Sequence, residues 1–126
     1  MGDFPVLDGQ LFLFQGDSIT DCGRRAASAP FGSGYPSIFI ERMTAAFPER
    51  KVRYINKGIS GDRVTGLRDR WEDDVIRHQP DWVSILIGIN ELDQAFTAVG
   101  TRLSRTPLYA GAVACTVGAY LGGVIR

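Results

Sequence analysis

The segment LFLFQGDSIT (residues 11–20) decides how this chain is expected to fold. The apolar run Leu11–Phe14 predicts a short β-strand, and Gly16-Asp17-Ser18 directly after it predicts a turn into a helix. Two further apolar runs end in the same way. Val52–Ile55 leads into NKGISGD (residues 56–62), and Trp82–Ile87 leads into Gly88-Ile89-Asn90. The sequence therefore predicts three strands, each followed by a small polar motif.

Helical patterns separate the three predicted strands. Tyr35–Phe47 has a proline near its start and aromatic or methionine side chains at four-residue spacing, which predicts a helix. A second helical stripe consists of Val64, Leu67, Trp71 and Val75. Alternating strands and helices predict an α/β fold, a three-layer α/β/α sandwich around a parallel sheet. The nearly all-apolar run Trp82–Ile87 is typical of a central strand that is covered on both faces.

Composition excludes several classes of function. The 126 residues carry 14 basic and 14 acidic side chains, and this zero net charge argues against a nucleic-acid partner. Cys22 and Cys115 stand far apart without a CxxC motif, so neither a zinc site nor a disulfide framework is expected. A single histidine excludes a metal cluster of several histidines, and no glycine-rich cofactor motif is present. We expect no cofactor, no metal, no secretory signal and a cytoplasmic location.

The last 30 residues differ from the rest of the chain. No Asp or Glu follows Asp93, and Leu108–Ile125 is free of charge over 18 residues. Its length reaches the lower limit for a membrane span, but its many Gly and Ala residues are weakly hydrophobic, so we expect no span. We expect a domain over residues 1–96 and an atypical segment over 97–126, which is either an apolar packing segment or a frameshifted or truncated end.

The three polar motifs are expected to meet at one edge of the sheet. Ligands of open parallel sheets bind at the carboxyl ends of the strands, and a strand order 2-1-3 would bring all three motifs there. Ser18 would then present a hydroxyl nucleophile, Gly61 a backbone N–H in a positive-φ turn, and Asn90 a side-chain amide. Taken singly, these residues are equally typical of a helix cap, a turn glycine and a turn asparagine. Together they predict an oxyanion hole for acyl transfer.

The same three motifs resemble blocks I, II and III of the SGNH (GDSL) hydrolase family, whose fold is flavodoxin-like. The longer strings FQGDSITDCGR, NKGISGDRV and RWEDDVIRHQPDWVSILIGIN are similar to its bacterial carbohydrate-esterase branch, which includes acetylxylan esterases. The resemblance covers about residues 8–96. It implies that Ser18 is the nucleophile and that Ser18, Gly61 and Asn90 bind the oxyanion. The family usually has Asp after the block III Asn, where this chain has Glu91.

The family's fourth block, an Asp-x-x-His that provides the base and its orienting acid, does not occur in this sequence. His78 precedes the third strand, and a strand of six or seven residues would place it roughly 20 Å from the opposite edge. A general base has to lie within ~3 Å of the hydroxyl or act through one water, so we expect His78 to be a surface residue.

Other polar side chains are assigned structural roles. We expect Asp17, Asp21 and Asp62 to cap and to accept hydrogen bonds, because a carboxylate with an ordinary pKa is a poor base for a serine. Asp73 and Asp74 are expected on the solvent face of their helix. Cys22 is expected to be a partly buried thiol at the start of a helix.

These observations predict a serine esterase or acylhydrolase that deacetylates a carbohydrate ester, with activity impaired by the missing base. The alternatives are a catalytically inactive binding module and the remnant of a truncated gene. The expected partner is a small-molecule or carbohydrate ester. An exposed apolar edge on the third strand also predicts self-association.

Overall fold

The computed structural model of the chain describes residues 4–98, and the side chains of residues 4–94. In chain order the elements are β1 (Leu11–Gly16), α1 (Ser18–Asp21), α2 (Tyr35–Ala46), β2 (Arg53–Asn56), α3 (Val64–Asp69), α4 (Trp71–Asp74), a 3₁₀ turn (Ile76–His78), β3 (Trp82–Leu86) and α5 (Ile89–Ala98). The predicted atypical segment lies, from residue 99 onward, outside the described residues.

The three strands form one parallel sheet in the order β2-β1-β3, which confirms the predicted order. Leu13 of β1 lies opposite Ile55 of β2 on one side and Val83 of β3 on the other. Because all three strands run in the same direction, the segments that follow them leave the sheet at the same edge. This arrangement determines where the polar motifs meet.

Helices cover both faces of the sheet, so the predicted three-layer architecture is confirmed. One face buries Leu13, Val75 and Val83, with partly buried neighbours that include Trp71. The opposite face is aromatic and lies under α2, where the Phe39 ring contacts other rings at centroid distances of 4.7–6.4 Å. The aromatic residues of this face are Phe12, Phe14, Tyr35, Phe39 and Tyr54. The sequence predicted α2 almost to the residue, since it begins at Tyr35 and ends one position before Phe47.

The predicted continuous helix over Val64–Val75 is wrong. It is divided into α3, α4 and the 3₁₀ turn, and Arg70 sits at the first break with φ −107° and ψ 8°. Val64 is 53% exposed, whereas Leu67 and Val75 are buried. The residues that open α3 are Val, Thr and Gly, which favour helix poorly. Tertiary contacts of the Arg70 side chain, described below, hold the break, and a hydropathy stripe does not encode such contacts.

The strand boundaries differ from the sequence pattern by one or two residues. β1 continues through Gly16, and β2 is shifted by one residue relative to Val52–Ile55. β3 was expected to be a central strand, but among residues 4–98 it pairs with β1 alone, and Val83 is its one buried residue. Within the same residues, no helix has the length and apolar character needed to cross a membrane.

Candidate active site

Ser18 lies where β1 turns into α1. The Asp17 side chain caps the helix by accepting a hydrogen bond from the Ile19 N–H at 3.0 Å, and Ser18 follows it as an exposed residue. The turn requires Gly16, because a Cβ there would stand 2.3 Å from the Leu86 carbonyl oxygen. The close approach of β1 to β3 therefore brings the serine to the carboxyl edge of the sheet.

Asn56 joins the second motif to the serine turn. Its buried amide nitrogen donates to the carbonyl oxygens of Thr20 and Phe31, each at 2.7 Å, and its side-chain oxygen accepts from the Gly58 N–H at 2.9 Å. All the hydrogen-bonding capacity that this buried amide needs is thus met within the fold. The sequence analysis placed Asn56 at the start of the second motif but assigned it no role of its own.

Gly61 adopts φ +81°, the left-handed conformation that the sequence analysis anticipated for it. A Cβ at this position would meet no atom within 4 Å, so glycine is required for the backbone conformation and not for space. Among residues 4–98, neither the Gly61 N–H nor the Ser18 N–H donates a hydrogen bond to another residue. Both backbone donors are therefore available to a ligand.

Asn90 lies in the first turn of α5 and reaches back to the same loop. Its amide nitrogen donates to the carbonyl oxygen of Asp62 at 2.7 Å, which uses one of its two hydrogens. Beside it, Glu91 accepts from the Val64 N–H at 2.5 Å. The structure thus brings the regions of Ser18, Gly61 and Asn90 together, at one edge of the sheet, as predicted.

The Arg70 side chain connects the first and second motifs. The sequence analysis did not identify this residue. Its guanidinium donates to the carbonyl oxygens of Lys57 at 2.7 Å and Gly16 at 3.3 Å, and to the Asp62 carboxylate at 2.8 Å. It also pairs with Asp74. The one sequence signal was an arginine within the predicted helical stripe, eight positions after Asp62, which is too common a pattern to be informative.

The carboxylates near Ser18 have structural partners, as expected. Burial raises the pKa of Asp17, and the nearby carboxylates of Glu91 and Asp62 raise it further against the opposing hydrogen bond from Ile19. Burial also acts to raise the pKa of Asp21. Hydrogen bonds from Ser60 and Arg25 outweigh it, and the pKa of Asp21 is lowered.

Asp74 corrects another expectation. Its side chain is 18% exposed and is held between Arg70 and Lys57, so it does not face solvent as predicted. Asp73, in contrast, is 65% exposed, as expected.

His78 and Cys22 lie outside the set of converging groups. His78 is exposed and ends the 3₁₀ turn that precedes β3, whereas Asn90 follows the other end of that strand. The expected surface position of His78 is confirmed. Cys22 is partly buried, but it ends α1 and does not begin a helix, since its N–H donates to the Ser18 carbonyl oxygen. Its thiol lies 3.3 Å from the Ile19 carbonyl oxygen.

A shallow pocket of about 280 Å³ borders the end of α1. Its walls include the Asp21 carboxylate, the Ser60 hydroxyl and the Arg25 guanidinium. Within the part of the chain that the structure describes, no three His, Cys, Asp or Glu side chains form a group that could hold a metal ion. The candidate site therefore consists of a hydroxyl and amide donors, and the polar pocket lies at the end of the helix that Ser18 begins.

The model of the GDSL-like lipase/acylhydrolase family matches residues 14–121, which is most of the chain. The chain belongs to this family. The resemblance that the three motifs indicated is therefore confirmed.

Within the GDSL-like family, the chain is similar to an acetylxylan esterase. The chain is 48% identical over 89 residues to an acetylxylan esterase of Geobacillus stearothermophilus, which covers 67% of this chain and 41% of that protein. The chain thus spans less than half the length of this curated relative.

Solved structures of the Geobacillus stearothermophilus acetylxylan esterase Axe2 have the same fold. A catalytic mutant with its serine replaced by alanine superposes with a TM-score of 0.71 at 42% identity, over 76% of this chain and 46% of that one. Two further catalytic mutants have an aspartate or a histidine replaced by alanine. An α/β hydrolase from the metagenome of Lake Arreo, named LAE5, superposes with a TM-score of 0.68 at 32% identity over 86% of this chain and 53% of its own.

Proposed function

We propose that this chain provides the nucleophile and the oxyanion-binding groups of a serine esterase that removes acetyl groups from a carbohydrate. The observation that carries the proposal is the convergence of Ser18, Gly61 and Asn90 at one edge of the sheet. Two backbone N–H groups without partners among residues 4–98, one amide with a spare hydrogen and one exposed hydroxyl belong to segments that leave the sheet at this edge. Such preorganised donors are what an acyl-transfer transition state needs.

In the proposed reaction, the Ser18 oxygen forms a bond to the carbonyl carbon of the ester while the hydroxyl proton passes to solvent water. The carbonyl oxygen becomes an oxyanion, which accepts hydrogen bonds from Ser18 N–H, Gly61 N–H and the Asn90 amide. Collapse of this intermediate breaks the bond to the sugar oxygen, which leaves with a proton. Water then hydrolyses acetyl-Ser18 and releases acetate.

The substrate class is proposed from the relatives and from the pocket at the end of α1. Relatives at 42–48% identity are acetylxylan esterases. In this chain the 280 Å³ pocket is lined by Ser60 and Arg25, both hydrogen-bonded to Asp21, and side chains of these types can also hydrogen-bond to sugar hydroxyls. We therefore propose an acetylated xylo-oligosaccharide or a smaller acetylated sugar as the substrate.

We further propose that this chain by itself is a weak catalyst. Its sequence contains no Asp-x-x-His, and its single histidine lies at the far end of β3 from Asn90. Serine hydrolases that lose a triad member keep about 10³–10⁴-fold acceleration over water through binding and the oxyanion hole. The same geometry without a base also supports binding of an acetylated sugar without turnover, and the experiment below distinguishes the two.

Self-association along the outer edge of β3 is the second part of the proposal. Among residues 4–98, β1 is the one strand that pairs with β3, and four of the five residues of β3 are only partly buried. A sheet edge that no further strand covers can pair with the same edge of a second copy. Sedimentation of the chain as a monodisperse monomer would contradict this part.

Acetate release from an aryl acetate and from acetylated xylo-oligosaccharides tests the esterase proposal. We expect slow turnover that is lost in Ser18→Ala and reduced in Asn90→Ala. Ser28→Ala is the matched control, because the structure gives its hydroxyl no hydrogen bond and it lies outside the converging motifs. Equal background rates for the chain and Ser18→Ala, together with measurable sugar binding, would favour the binding module instead.

A further inference from the structure

We propose that Arg70 is a positioning residue that holds the Gly61 loop in register with the Ser18 turn, so that their two N–H groups face a common point. This inference rests on the proposed esterase function. Arg70 contacts neither the serine hydroxyl nor the Gly61 N–H. It acts through the residues next to them in the chain.

The contacts of the guanidinium are distributed over both motifs. One nitrogen donates to the Gly16 carbonyl oxygen at 3.3 Å, two residues before Ser18. The Asp62 carboxylate, one residue after Gly61, receives the Nε–H at 2.8 Å and lies 2.7 Å from Nη2. A third contact reaches the Lys57 carbonyl oxygen at 2.7 Å, where the loop leaves β2. The Arg70 side chain thus contacts both ends of the Gly61 loop, at Lys57 and Asp62. It also contacts the end of β1, at Gly16.

Asp62 links Arg70 to Asn90, because it is hydrogen-bonded to both side chains. Its carbonyl oxygen accepts the Asn90 amide at 2.7 Å, while its carboxylate is held by Arg70. The carboxylate also packs on α3 so closely that a Cβ at Gly66 would stand 1.8 Å from it. Movement of Asp62 would therefore displace the Gly61 N–H and the Asn90 amide together.

The arrangement requires a guanidinium and not only a positive charge. Arg70 is 17% exposed, and its planar fork serves two carbonyl oxygens and two carboxylates in different directions. Lysine has three donors on one nitrogen and cannot reach these four acceptors at once. Arg70→Lys preserves the charge near Asp62 and Asp74 but removes the bridge, which makes it the informative substitution.

The test compares Arg70→Lys with Arg77→Lys in the full chain. Arg77 is 70% exposed and pairs with Asp73 on the surface, so its substitution is the matched control. For Arg70→Lys we expect kcat for an aryl acetate to fall by about 10–100-fold with KM little changed, because misplacement of about 1 Å acts on the transition state. In the Asn90→Ala background the same substitution should have a smaller effect, since the two share one oxyanion hole.

Hydrogen exchange of the Ile59 amide gives a readout that does not depend on turnover, because this N–H donates to the Gly16 carbonyl oxygen at 3.0 Å and joins the loop to the Ser18 turn. We expect this amide to exchange faster in Arg70→Lys than in the chain and in Arg77→Lys. If Arg70→Lys does not fold, Asp62→Asn, which leaves the guanidinium its two carbonyl partners, should reduce kcat in the same way. Unchanged kcat and unchanged exchange of the Ile59 amide in a folded variant would overturn the inference.

Failure of the esterase proposal and failure of the Arg70 proposal would give different results. Absence of Ser18-dependent turnover in the unsubstituted chain would refute the proposed function, and the exchange of the Ile59 amide would then decide alone whether Arg70 holds the loop. Turnover that is lost in Ser18→Ala but fully retained in Arg70→Lys would refute the positioning role and leave the esterase proposal intact.

Discussion

Substitution of Gly58 by alanine probes how closely the second motif must approach the serine helix. Gly58 is buried, and a Cβ there would stand 2.4 Å from the Asp21 nitrogen and 2.7 Å from the Thr20 carbonyl carbon. Ordinary contacts of a Cβ begin at 3.4 Å, so α1 and the loop would have to separate by about 1 Å. Because the opposing atoms are backbone, rotation of a side chain cannot relieve the overlap.

Two effects are expected from this separation. Overpacking of this kind reduces the free energy of unfolding by about 1–3 kcal/mol. In urea, where m is about 1–3 kcal/mol/M for a small protein, a loss of 2 kcal/mol moves the midpoint by about 1 M. Displacement of the helix that carries Ser18 by about 1 Å should also reduce Ser18-dependent turnover by up to ~10²-fold.

Gly9→Ala is the control for the Gly58 experiment. Gly9 has φ +75° and open space around it, so alanine there strains the backbone, at about 1–2 kcal/mol, without pushing on the site. We expect Gly9→Ala to lose stability and keep its turnover per folded molecule, and Gly58→Ala to lose both. A Gly58→Ala protein with an unchanged urea midpoint and unchanged turnover would refute the packing argument.

Three further predictions follow from buried or exposed polar groups. Asn56→Ala should lower the free energy of unfolding by about 2–4 kcal/mol in urea titration, because it leaves buried carbonyl and N–H groups unpaired; a loss below 1 kcal/mol would contradict its role. Asp17→Asn should raise stability at neutral pH. The folded-state pKa of Asp17 lies above its unfolded value through burial and through Glu91 and Asp62, so the carboxylate is destabilising above that pKa and the effect vanishes as pH falls through it; equal stability of both proteins from pH 3 to 8 would refute the argument. His78→Ala should leave aryl-acetate turnover unchanged, and a large loss of kcat would show that this exposed histidine reaches the site.

The sequence was sufficient for the architecture because its signals were local and repeated. Three apolar runs, each ending in a small polar motif, allow few arrangements other than parallel strands with their motifs at one edge, and the observed order β2-β1-β3 agrees. The α2 boundaries were also readable, since a proline marks one end and another proline follows the other. The positive φ of Gly61 followed from its residue type and its place in a turn.

The features that were missed are long-range. The breaks in the helical stripe, the half-buried position of Asp74 and the contacts of Arg70 all depend on groups that are distant in the chain, such as the Gly16 carbonyl oxygen. A charged residue at helical spacing is usually solvated, so the pattern gave no reason to place either side chain inside. Asn56 was overlooked for a similar reason, because the two carbonyl groups it joins come from other segments.

Covalent acetylation of Ser18 is the most direct test of the central claim. The chain is mixed with an excess of an aryl acetate, quenched at intervals and digested, and the Ser18 peptide is examined by mass spectrometry. With the oxyanion donors in place and no histidine near Ser18 among residues 4–98, we expect an acetyl group to accumulate on Ser18 and to be lost slowly. Gly61 and Asn90 variants should acquire it more slowly. Acetylation confined to lysine side chains, at equal rates in the chain and in Ser18→Ala, would contradict the account.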